Sequence, residues 1–111
     1  MKLNILFNRE LVVDVWRSPQ GKVCMLGHDI EPRSVIPALG KAAVLMRQQL
    51  NDRGESLVDF DTEMEHLSAP GIEPRRVGEI LGPVVFGMAE RLCPPGQDAL
   101  DVEIGQASPL N

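Results

Sequence analysis

The stretch Leu11-Val12-Val13-Asp14-Val15-Trp16-Arg17-Ser18-Pro19-Gln20-Gly21-Lys22-Val23-Cys24-Met25-Leu26 decides the fold. Leu11, Val13 and Val15 fall on one parity, and Val12, Asp14 and Trp16 on the other. Successive side chains of a strand point to opposite faces, and β-branched valines suit a pleated surface. Ser18-Pro19-Gln20-Gly21 reads as a turn, because proline presets φ at its second position and glycine tolerates the exit. Lys22 to Leu26 then returns as a further strand. Upstream, Leu3, Ile5 and Phe7 alternate with Lys2, Asn4 and Leu6 before the polar break Asn8-Arg9-Glu10. The chain is therefore expected to open as a three-stranded β-meander.

Downstream the period changes. Gly27 to Pro32 reads as a loop, and Ser34 is placed to cap a helix with Pro37 in its first turn. The stripe Val35/Ile36, Leu39, Ala42/Ala43, Met46 and Leu50 is spaced by three or four residues, as a helix requires. Arg53 complements the negative helix end, and Gly54 supplies a left-handed stop. A second helix is expected from Pro74, with the stripe Val77, Ile80/Leu81, Val84/Val85, Met88 and Leu92. Pro83 predicts a kink or break after Leu81. Cys93-Pro94-Pro95-Gly96 ends the helix. Leu100, Val102 and Ile104 alternate with Asp101 and Glu103, which predicts a short final strand.

Between the helices, residues 57–67 alternate regularly. Val58, Phe60, Thr62, Met64 and His66 share one parity. Leu57, Asp59, Asp61, Glu63, Glu65 and Leu67 share the other. The expectation is a central strand with a mostly apolar face and a face of four carboxylates. The rival is a short helix begun by a Thr62/Glu65 capping box. The resulting class is α+β: a small, mostly antiparallel sheet made of the N-terminal β-meander, the central strand and a C-terminal strand, with two helices packed on one face. Residues 1–106 form a single domain and 107–111 a loose tail.

Composition bounds the function. A chain of 111 residues fits one domain, and 43% hydrophobic with 24% charged residues is enough to fold on a core of its own. The net charge of -5 argues against a phosphate-tracking surface, so direct nucleic-acid binding is not expected. No apolar run reaches the roughly 18 residues of a membrane span, and no signal-peptide pattern opens the chain. The expected location is cytoplasmic, with Cys24 and Cys93 as free thiols. No cofactor and no metal site are expected. Cys24, Cys93, His28 and His66 lack the paired-ligand spacing of a zinc set.

Three groups of residues carry what chemistry there is. Asp59, Asp61, Glu63 and Glu65 would lie about 7 Å apart along a strand face. Ligands strung in a straight line do not converge on one ion, so this row reads as a solvated face or as a docking surface for a basic partner protein. Cys24, His28 and Asp29 supply a thiol, an imidazole and a carboxylate within six residues, the residue types of an activated nucleophile. That spacing is no family signature, and a strand cysteine beside a loop histidine is the plainer reading. Gly78, Gly82 and Gly87 thin the second long helix, and Phe86 lies off its main stripe. These four residues are the expected homodimer interface, unless the glycines serve close packing within the chain. Arg75-Arg76 opposes the helix dipole, at a cost of about 0.3–1 kcal/mol each, and calls for acidic neighbours.

The function that fits best is a small acidic, non-enzymatic protein-binding module: an adaptor, accessory or inhibitory protein. The alternatives are an acidic nucleic-acid mimic that blocks a DNA- or RNA-binding protein, and a small enzyme using Cys24 and His28.

Overall fold

A computed structural model describes residues 1–105. The expected tail, 107–111, lies outside the described residues. The order of elements is β1 (Lys2–Phe7), β2 (Glu10–Arg17), β3 (Val23–Gly27), a 3-10 turn (Pro32–Ser34), α1 (Val35–Asp52), α2 (Val58–Glu65), a second 3-10 turn (His66–Ser68), α3 (Pro74–Leu92) and β4 (Ala99–Gly105). The four strands form one sheet in the order β3-β2-β1-β4. β1 and β3 run antiparallel to β2, and β4 joins the free side of β1 in parallel. The fold is α+β with a mostly antiparallel sheet, and the meander and the final strand form as their alternation predicts.

Turn chemistry fixes the meander. Phe7 pairs with Glu10, which leaves Asn8 and Arg9 as a two-residue loop with φ of 53 and 66. Two positive φ values mark the turn that matches strand twist. The second loop closes through the Gly21 N–H, which donates to the Ser18 carbonyl at 2.8 Å, and Gly21 takes φ 84.

The core lies between one sheet face and the helices. Leu3, Ile5, Val13, Val15 and Val102 pack against Leu39, Met46 and Leu50 of α1 and Val84, Val85, Phe86 and Met88 of α3. Gly54 ends the first helix with φ 77, as expected. Ser34 occupies the α1 N-cap but makes no side-chain capping bond, because the preceding 3-10 turn holds it in a helical conformation. α3 starts at Pro74 and runs unbroken through Pro83. This proline sits on the exposed side, where a carbonyl that has lost its amide partner can be solvated. The expected break is absent.

The larger correction concerns residues 57–67. They form α2 and a 3-10 turn, not a central strand, so the described residues hold three helices rather than two: α1 and α3 pack on the sheet, and α2 packs against α3. The same residues satisfy a second period. Leu57, Phe60, Met64 and Leu67 are spaced by three, four and three, and these four face the core, whereas Val58 is 67% exposed. Asp59 and Asp61 fall in the first turn, where negative charge suits the helix dipole. Helix was the right type for the rival reading, but its cap was misplaced. The helix begins at Val58, and the Thr62 hydroxyl donates to the Val58 carbonyl at 2.8 Å instead of capping.

Candidate functional site

The expected carboxylate row does not exist as a row. On a helix, Asp59 and Glu63 share one side and Asp61 and Glu65 another. Asp61 accepts two hydrogen bonds from the Arg47 guanidinium, both at 3.1 Å, and this tie to α1 holds its carboxyl below the ordinary value, with opposite charge adding to the effect. Asp59 and Glu63 line a groove of about 370 Å³ between α2 and α3, together with Phe60, Arg76 and Ile80. Arg75 and Arg76 find their acidic neighbour within their own helix. Glu79 lies 3.4 Å from Arg75 and 3.3 Å from Arg76.

The thiol and the imidazole stay apart. Cys24 and His28 are four residues apart on an extended backbone, about 13 Å. The Cys24 thiol donates to the Lys22 carbonyl at 3.6 Å. His28 faces a different carboxylate from the one expected: its Nε2 lies 3.4 Å from Asp14 Oδ1, not against Asp29. Asp14 is buried on the sheet face away from the helices, where Lys2 Nζ reaches it at 2.9 Å. This cluster ties β1, β2 and the end of β3 together.

The glycines of α3 are used within the chain. A Cβ on Gly78 would lie 3.3 Å from Ile36 Cδ1 of α1, one on Gly82 would lie 2.5 Å from Met25 Cε of β3, and one on Gly87 would lie 3.0 Å from Phe60 Cε1 of α2. Phe86 is 2% exposed, in the core, with the Arg17 guanidinium 5.2 Å from its ring centroid. The surplus apolar surface expected on this helix is covered by α2. Phe86, Gly82 and Gly87 are therefore not a free interface, and Gly78 alone of the four borders an open groove.

That groove runs along β3, an edge strand. The His28 N–H donates to Val12 O and the Ser18 N–H to Lys22 O, at 2.8 and 2.7 Å, one at each end of the β2–β3 ladder. Narrow and wide pairs alternate in an antiparallel ladder, so Cys24 and Leu26 bond inward to β2. The N–H and C=O groups of Val23, Met25 and Gly27 point outward. Among the described residues they have no backbone partner.

Comparison with protein-family models, curated proteins and solved structures found no match.

The two edges of the sheet differ in chemistry. β4 carries Asp101 and Glu103 and has an irregular register near Gly105. Such charges and irregularities guard an edge against another strand. β3 reads Val-Cys-Met-Leu-Gly, with no charge, no proline and no bulge. Leu26 is 52% exposed on the face away from the helices. On the helix side, Val23, Met25, Gly78 and Pro83 line a groove of about 600 Å³ with Lys22 and Arg75 at its rim. It continues into a hollow of about 450 Å³ lined by Met25, Ile30, Val35, Ile36 and Gly78. The uncharged run between Lys22 and His28 was the sequence signal for this site; what was missing was knowledge that β3 lies at an edge.

Proposed function

We propose that this chain is a small acidic, non-enzymatic protein-binding module that docks its partner as an added strand on the β3 edge. The observation that carries the reading is the unguarded row of outward backbone groups at Val23, Met25 and Gly27 beside an apolar groove. Main-chain bonds along such an edge supply affinity, and pockets for alternate side chains supply selectivity. Gly78 keeps the helix wall of the groove low. Lys22 stands at one end of its rim and the Arg75–Glu79 ion pair at the other, so the rim offers charge of both signs. Adaptor, accessory and inhibitory roles all work through such contacts. The thiols of Cys24 and Cys93 are free, which suits a cytoplasmic setting.

The test compares partner capture by the full chain with capture by two variants. Leu26→Lys places a gatekeeper charge on the bare edge at a half-exposed position. Val58→Lys places the same charge on α2, remote from the edge and 67% exposed. The reading requires loss of capture by the first and none by the second. Equal capture by both would refute it.

A further inference from the structure

We infer that the strand taken up by the β3 edge belongs to a second copy of this chain, paired antiparallel about a two-fold axis through Met25. The inference rests on the strand-addition reading and names its occupant. With the axis at Met25, Val23 of each copy lies opposite Gly27 of the other, and Met25 lies opposite Met25. All three are residues whose N–H and C=O groups point outward, so every pair is of the hydrogen-bonded kind and the whole of β3 is used. An axis moved by one residue, to Cys24, leaves part of the strand unmatched.

The side chains agree with this register. Cys24 of each copy lies opposite Leu26 of the other on the face away from the helices, and this covers the most exposed side chain of the strand. Charge is complementary at the ends. Lys22 precedes β3, and His28 and Asp29 follow it. Antiparallel pairing sets Lys22 of one copy opposite His28 of the other, which faces its own Asp14, and one position from Asp29, which supplies the opposite charge. Among the described residues, neither the Lys22 ammonium nor the Asp29 carboxylate has a partner within its own chain. On the other face the two α3 helices approach each other across the axis, with Gly78 beside the gap. The homodimer anticipated from the sequence thus forms through β3 and the start of α3, not through Phe86. The two-fold axis closes the assembly at two copies, because the guarded β4 edges lie at the outer ends of the joined sheet.

The experiment uses the full chain at low and high micromolar concentration in sedimentation velocity, with the Leu26→Cys variant oxidised in parallel. Cys24 and position 26 form a non-hydrogen-bonded pair across the axis, which brings their Cα atoms within disulfide range. The expected result is a reversible wild-type dimer, and an oxidised variant that is covalently dimeric through peptides joining Cys24 to position 26. A wild type that stays monomeric at high micromolar concentration overturns self-pairing, while the strand-addition reading then stands or falls on the capture test. A dimer that resists cross-linking between Cys24 and position 26 also overturns self-pairing, and the strand-addition reading is again decided separately by the capture test with Leu26→Lys.

Discussion

Gly82 of α3 and Met25 of β3 approach so closely that a β-carbon on the glycine would lie 2.5 Å from the methionine methyl. The missing β-carbon lets the Met25 side chain lie against the backbone of α3. Gly82→Ala gains the helix propensity of alanine but must displace Met25. Gly40→Ala, in α1, meets nothing within 4 Å and keeps the whole gain of about 1 kcal/mol. Chemical denaturation is expected to rank Gly40→Ala above Gly82→Ala by under about 1 kcal/mol, because the methionine methyl ends a flexible side chain beside an open groove and can move aside.

Arg9 holds φ 66 in the first hairpin, a conformation that costs an L-residue roughly 1–2 kcal/mol. Its backbone N–H donates to Glu103 Oε2 at 3.0 Å, a bond that glycine would keep. Arg9→Gly is expected to raise stability by about 1 kcal/mol in a denaturant titration. A loss of stability would show that the arginine side chain contributes more than its strain costs.

Phe86 and Phe60 separate the core from its margin. Phe86→Ala should cost about 3–5 kcal/mol, as for a fully buried aromatic. Phe60 is only half-buried, against Gly87 and beneath the Arg91 guanidinium at 4.6 Å from its centroid. Phe60→Ala should cost about 2 kcal/mol. Phe86→Glu should unfold the chain rather than release a folded monomer, and circular dichroism of that variant checks it.

The Arg47–Asp61 tie predicts how α2 responds to acid. The hydrogen bonds from Arg47 lower the carboxyl of Asp61 in the folded state. Its contribution is therefore complete above the unfolded aspartate value of about 3.9, and is lost as pH falls through the lower folded value. Amide exchange in α2 should accelerate over that acidic range before exchange in α3 does. Arg47→Met should remove the acid sensitivity, and a variant that keeps it would refute the assignment.

What the sequence disclosed follows from local physics. The hairpin at Ser18–Gly21, the stripe from Leu39 to Leu50, the Pro74 helix start and the Leu100–Ile104 alternation are each decided within a dozen residues. Residues 57–67 are not, because apolar residues at 57, 60, 64 and 67 serve a short helix with its cap and following turn, while the same stretch also alternates. That one ambiguity misplaced the carboxylates and left α3 with apolar surface to spare, which suggested an interface at Phe86. The β3 edge was hidden for a different reason. The turn before its residues marks them as a returning strand, but strand order is tertiary. β4 could have covered β3, and only its pairing with β1 leaves Val23, Met25 and Gly27 bare.

Amide hydrogen exchange along β3, in the free chain and in the partner-bound state, tests the docking edge most directly. Cys24 and Leu26 bond inward and should exchange slowly in both states. Val23, Met25 and Gly27 should exchange rapidly in the dilute monomer and slowly once the edge is occupied by a second copy or another partner. Protection that arises on α2 or β4 while those three amides stay fast would contradict the account.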